Sequence, residues 1–96
     1  MIKGFKDQAT EDVFNGISSK KSLKIPQVIW RIAQRKLDIL NAAHDLRDLS
    51  VLPNNRLELL KGNWKGFHSI RINDQFRVIF KWASGNAEDV QIVDYH

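Results

Sequence analysis

The chain has 96 residues, 43% hydrophobic and 27% charged, which excludes global disorder and leaves room for one domain, residues 1–96, with one modest core. It has no cysteine and no apolar run longer than three residues, so disulfides, thiolate metal sites and a membrane span are excluded. A start without the apolar stretch of a signal peptide makes the cytoplasm the expected address, and a net charge of +4 suits a nucleic-acid partner without requiring one.

Residues 1–6 read as a short strand on Ile2 and Phe5. Residues 7–18 read as a helix with Asp7 as N-cap and Val13, Phe14 and Ile17 at helical spacing, weakened by Gly16. The polar run 18–22 connects it to the strongest helix, Pro26 to Leu46. Pro26 suits the first turn, where its missing N–H costs nothing. Ile25, Val28, Ile29, Ile32, Ile39, Leu40, Ala43 and Leu46 recur at three- and four-residue steps and predict one apolar stripe. Residues 47–56 break that pattern, with Leu52-Pro53-Asn54-Asn55 as a turn cluster.

From Leu57 the period changes to two. Leu57–Lys61, Phe67–Ile72, Phe76–Trp82 and Val90–Tyr95 read as strands. Asn73-Asp74-Gln75 and Ser84-Gly85-Asn86 lie between them as hairpin turns. Strand, helix, helix, then four strands is an α+β order. It predicts an N-terminal strand and two helices packed on one face of a mostly antiparallel sheet.

Alternation puts Phe76, Val78, Phe80 and Trp82 on one face and Arg77, Ile79 and Lys81 on the other. On the neighbouring strand His68, Ile70 and Ile72 share a face, opposite Phe67, Ser69 and Arg71. Segment 56–82 holds six basic residues and two acids, a surplus equal to the net charge of the whole chain. Those cations either meet water on the second sheet face or meet phosphates there. His44 reads as a helix-end residue, His68 as semi-buried packing, and Trp30, Trp64 and Trp82 as packing or partner contacts.

The chain ends Asp94-Tyr95-His96. A carboxylate, a phenol and an imidazole together can do acid–base work on a phosphodiester, or can form a polar tail. With Leu57-Glu58-Leu59-Leu60-Lys61-Gly62, the phrase Gly66–Trp82 and the end Asp89–His96, the chain resembles the HigB branch of the RelE/ParE toxin superfamily. The specific part of the likeness is residues 57–96.

The resemblance implies the RelE-like microbial ribonuclease fold and a toxin of a type II toxin–antitoxin pair. It implies cleavage of messenger RNA in the A site of the 70S ribosome. The implied partner is a helix-turn-helix antitoxin, HigA-like, and no metal or organic cofactor is implied. Lys61 matches the family's Leu-Lys-Gly lysine, Arg77 its strand arginine, and Asp94, Tyr95 and His96 its terminal triplet. Glu58 stands where some members carry a histidine, which leaves the choice of general base open.

Read for that chemistry, His96 is an acid or base near neutral pH. Asp94 orients it or is itself the base. Tyr95 can stack on a base, Arg77 can clamp a phosphate bidentately, and Lys61 adds a point charge. Lys65, Arg71 and Lys81 are the further candidate RNA contacts. Arg77 can equally pair with Asp94 or Glu58 across the sheet. A ParE-like gyrase inhibitor without nuclease chemistry is the alternative on the same fold, and it has no need of the terminal triplet.

Overall fold

Asp7 accepts a hydrogen bond from the Thr10 amide at 2.8 Å and so starts α1 (Gln8–Phe14) in the computed structural model, which describes residues 1–95. The helix is shorter than the pattern 7–18 predicts. Asn15 caps it and Gly16 turns left-handed at φ +71°, so Ile17 falls outside the helix and is exposed.

The long helix expected over Pro26–Leu46 is shorter at both ends, and a further short helix extends into 47–56, where the pattern predicted none. Gln27–Ile29 is a 3₁₀ turn, α2 runs Trp30–Ala42, and α3 runs Leu46–Ser50. Ala43 is extended. Asp45 starts a new helix there through a capping box with Asp48, so a local polar motif overrides the apolar periodicity. The stripe moves with the break. Ile29, Ala33, Leu37 and Leu40 face the core, while Val28 is 86% exposed and Ile32 39%.

Among the described residues, β1 (Glu58–Leu59), β2 (His68–Arg71), β3 (Phe76–Ala83) and β4 (Asn86–Asp94) form an antiparallel sheet in that spatial order. Compared with the sequence reading, β1 is shorter and β4 begins earlier. Ser84 and Gly85, both at positive φ, make the two-residue turn between Ala83 and Asn86, so β3 pairs with β4 from its last residue. The N-terminal segment forms two parallel bridges with β4, Ile2 to Ala87 and Phe5 to Val90, rather than a full strand.

Helices and sheet meet on one face. Val13, Ile29, Ala33, Leu37 and Leu40 pack with Ile70, Val78, Phe80, Val90 and Ile92. A register shift between Ile79 and Lys81, with Asp89 at φ +51°, inserts one residue into β4. That bulge lets Ala87 and Val90 both reach the core from one strand despite their odd spacing. The other sheet face is not simply wet. Ser69, Ile79 and Leu60 are buried, the two apolar ones outside the main core cluster.

Candidate functional site

The pairing of β2 with β3 sets Ser69 opposite Ile79 and Arg71 opposite Arg77. The pairing of β1 with β2 sets Glu58 opposite Ser69. Three neighbouring strands therefore bring Glu58, Ser69 and Arg77 to one patch of the outer sheet face. Arg77 lies diagonal to Ser69, a separation that a long side chain spans.

The Arg77 guanidinium is held on two sides. Its Nη1 donates to Ser69 Oγ at 3.0 Å and pairs with Glu58 Oε1 at 3.1 Å. Its carbon sits 5.3 Å from the centre of the Tyr95 ring, within cation–π range. The Arg77 side chain is 15% exposed and that of Glu58 51%. A mostly buried guanidinium with a wetter carboxylate is a cation that is fixed in place yet reachable from solvent.

Of the other candidate residues, Tyr95 joins Arg77 and Asp94 does not. Asp94 pairs in register with Phe76, whose side chain faces the helices, so alternation turns Asp94 away from Arg77. Asp94 accepts a hydrogen bond from Gln75 Nε2 at 2.9 Å, and the Tyr95 amide donates to the Gln75 carbonyl at 2.7 Å. Gln75, in the β2–β3 turn, thus ties down the approach to the chain's end. His96 lies outside the described residues.

Arg71 pairs with Asp74 in the same turn, which offsets the like charge of Arg77 across the strand pair. Lys81 sits 5.0 Å from the centre of the Phe67 ring and 3.8 Å from Asp89. Trp64 meets Phe67 edge-on at 5.5 Å between centroids. Lys61 and Lys65 flank the 3₁₀ turn Gly62–Trp64. They line an apolar surface pocket of about 490 Å³ with Leu59, Leu60, Gly62 and Gly66. Both are exposed, and among the described residues neither has an ion-pair partner. Among the described residues no group of three or more His, Asp or Glu converges as a metal site would require, and no helix is long and apolar enough to cross a membrane.

Ser69 and Gln75 are the residues that sequence reasoning missed. Alternation placed Ser69 with Phe67 and Arg71 on one face of its own strand, and only the strand register matches that face to the face of Arg77. His68, on the opposite face, stacks on Phe80 at 5.8 Å, and its buried Nδ1 has no hydrogen-bond partner. Burial pulls its pKa below the ordinary value for histidine.

The family model for the RelE-like toxin of the type II toxin–antitoxin system HigB matches residues 3–96. The chain belongs to that family. It is 45% identical over 87 residues to Toxin HigB-1 of Vibrio cholerae serotype O1, covering 91% of this chain and 90% of that protein. It is also 35% identical over 69 residues to an uncharacterized protein of Haemophilus influenzae, covering 72% of this chain and 68% of that one. Among solved structures, the YoeB–YefM complex from Staphylococcus aureus holds a chain that superposes with TM-score 0.60 at 20% identity, covering 100% of this chain and 98% of that one. That similarity establishes a shared α+β fold with a RelE-like toxin and carries no residue roles. The HigB-like reading of the chain, and the RelE-like fold it implied, both hold.

Proposed function

We propose that this HigB-like toxin is a metal-independent endoribonuclease that cleaves messenger RNA in the ribosomal A site and so inhibits translation. The observation that carries the reading is Arg77, a guanidinium fixed by Ser69 Oγ, Glu58 and the Tyr95 ring on the outer sheet face. Family membership supports it, since a toxin needs a target and this face has a preset phosphate clamp.

RNA carries its own nucleophile, the 2′-OH beside the scissile phosphate. A protein that cuts it without a metal must take that proton, give one to the leaving 5′-oxygen, and hold the charge that builds on phosphorus. Arg77 holds the charge. His96 and Glu58 are the proton-transfer groups, Tyr95 stacks near the bond that breaks, and Asp94, turned to the other sheet face, takes no direct part. Lys61, Lys65, Arg71 and Lys81 dock the surrounding phosphates. The reading treats residues 1–96 as one toxin domain acting in the cytoplasm. It requires no cofactor, and a helix-turn-helix antitoxin of the HigA type would neutralise it. A solved relative in fold is itself seen with its antitoxin.

The test compares cleavage of one message free and on programmed ribosomes, with a gyrase supercoiling assay alongside. Placement of the 2′-OH in line with the leaving oxygen is worth several kcal/mol, about 7 or more in well-oriented cases. Cleavage is therefore expected on the ribosome, with little on free RNA, and is expected to fall as salt rises. Equal rates on both substrates would refute ribosome dependence. Intact message with inhibited gyrase would replace the nuclease by a ParE-like toxin.

A further inference from the structure

The geometry points to Ser69 as the residue that positions Arg77, by fixing its Nη1 so that the Nη2–Nε edge is presented to phosphate. The inference deepens the nuclease reading and rests on it for the identity of that phosphate, one of the RNA backbone.

A guanidinium has five N–H donors in one plane, and it recognises phosphate best through two of them side by side. Among the described residues, the oxygens on Arg77 are Ser69 Oγ and Glu58 Oε1, and both engage Nη1. Both contacts, a hydrogen bond and an ion pair, thus fall on one nitrogen. The Tyr95 ring, near the guanidinium carbon, favours one plane for the group. What remains is the Nη2–Nε edge, a two-donor fork.

The two oxygens differ in what they can do. Ser69 is fully buried in the middle of β2, with β1 and β3 on either side, so its oxygen does not move. Glu58 stands on the two-residue edge strand with its carboxylate half exposed. An incoming phosphate competes with a half-exposed, hydrated carboxylate for the cation, but it cannot compete with a buried neutral hydroxyl for its place. Ser69 therefore holds the orientation whether or not Glu58 stays. An alanine there leaves the charge of Arg77 intact and removes only its fixed hinge point.

The experiment measures Ser69→Ala, Ser69→Thr and the unaltered protein in single-turnover cleavage on programmed ribosomes across a range of ribosome concentrations. Ser69→Ala is expected to lower the saturated rate about tenfold, the scale of one orienting hydrogen bond to a charged group. The half-saturating concentration stays within about twofold, since the charge remains. Ser69→Thr keeps the oxygen and recovers most of the rate. Ser69→Ala in an Arg77→Ala background adds no further loss, because Ser69 acts through that side chain. Independent, multiplying losses would overturn the inference, as would an unchanged rate in Ser69→Ala.

A second readout needs no cleavage. In nitrogen-detected NMR of the free protein, the Arg77 guanidinium is expected to rotate slowly, and faster in Ser69→Ala. Rotation that is already fast, or is unchanged by the substitution, would overturn the positioning role. If the unaltered protein cuts no message yet its Arg77 rotates slowly and loosens in Ser69→Ala, the nuclease reading fails and the hold on Arg77 stands.

Discussion

Replacing Arg77 by alanine separates turnover from docking. The change removes a guanidinium that is only 15% exposed, together with its contacts to Ser69, Glu58 and Tyr95. Loss of one preorganised donor aimed at transition-state charge costs about 10²–10³ in rate, roughly 3–4 kcal/mol. Binding to the ribosome has other cations to rely on. Lys61, Lys65, Arg71 and Lys81 remain in the segment, and each phosphate contact carries only a share of affinity, so binding is expected to weaken by about threefold or less. Folding is expected to survive. Glu58 is half exposed and can hydrate, but the buried Ser69 hydroxyl loses its partner, so the change costs about 1–3 kcal/mol. For a chain this short each kcal/mol lowers the melting temperature by about 4–8 °C. The assay is single-turnover cleavage at saturating ribosomes, with co-sedimentation for binding and a melting curve for folding. Collapsed binding with an unchanged saturated rate would refute the transition-state argument and make Arg77 a docking residue.

His96→Ala is expected to reduce cleavage at least about a hundredfold on programmed ribosomes, and near-full activity would remove the imidazole from the mechanism. Leu37→Ala, at a fully buried core position, is expected to lower unfolding free energy by about 2–5 kcal/mol in urea titration. Val28→Ala, on the exposed side of the same region, is expected to change it by less than about 0.5 kcal/mol, and a reversed order would contradict the observed stripe. Burial lowers the folded-state pKa of His68, so the unfolded chain binds the proton more readily. Stability is therefore expected to fall as pH drops below the ordinary histidine value, about 6.5, toward the lower folded value. Melting curves of His68→Phe are expected to be flatter over that window than those of the unaltered protein, and parallel curves would rule the effect out.

Much of the fold was legible because its signals are local. Asp7 marks the start of α1, Ser84-Gly85 the β3–β4 turn and Asn73-Asp74-Gln75 the β2–β3 turn, each by the chemistry of a few adjacent residues. Alternation along β3 correctly separated Val78 and Phe80 from Arg77, because a strand's two faces follow from its own period. Helix ends were less legible. The apolar steps continue through Ala43 to Leu46, and only the competition between that pattern and the Asp45–Asp48 capping box ends α2 at Ala42.

The site divides along the same line. The sequence by itself named Arg77, Tyr95 and Glu58 as chemistry-bearing residues, through side-chain type and likeness to a family. Which of the available acids meets Arg77 was not determined there, since Asp94 and Glu58 were equal candidates. Register decided it. Glu58 is placed opposite Ser69 and diagonal to Arg77, while Phe76 opposite Asp94 sends that carboxylate to the other face. Ser69 carries no sequence signal of its own, because a serine in a strand becomes a partner only when three strands align. Contacts between residues far apart in the chain depend on pairing and twist summed over the whole sheet, and that sum exists only in the folded molecule.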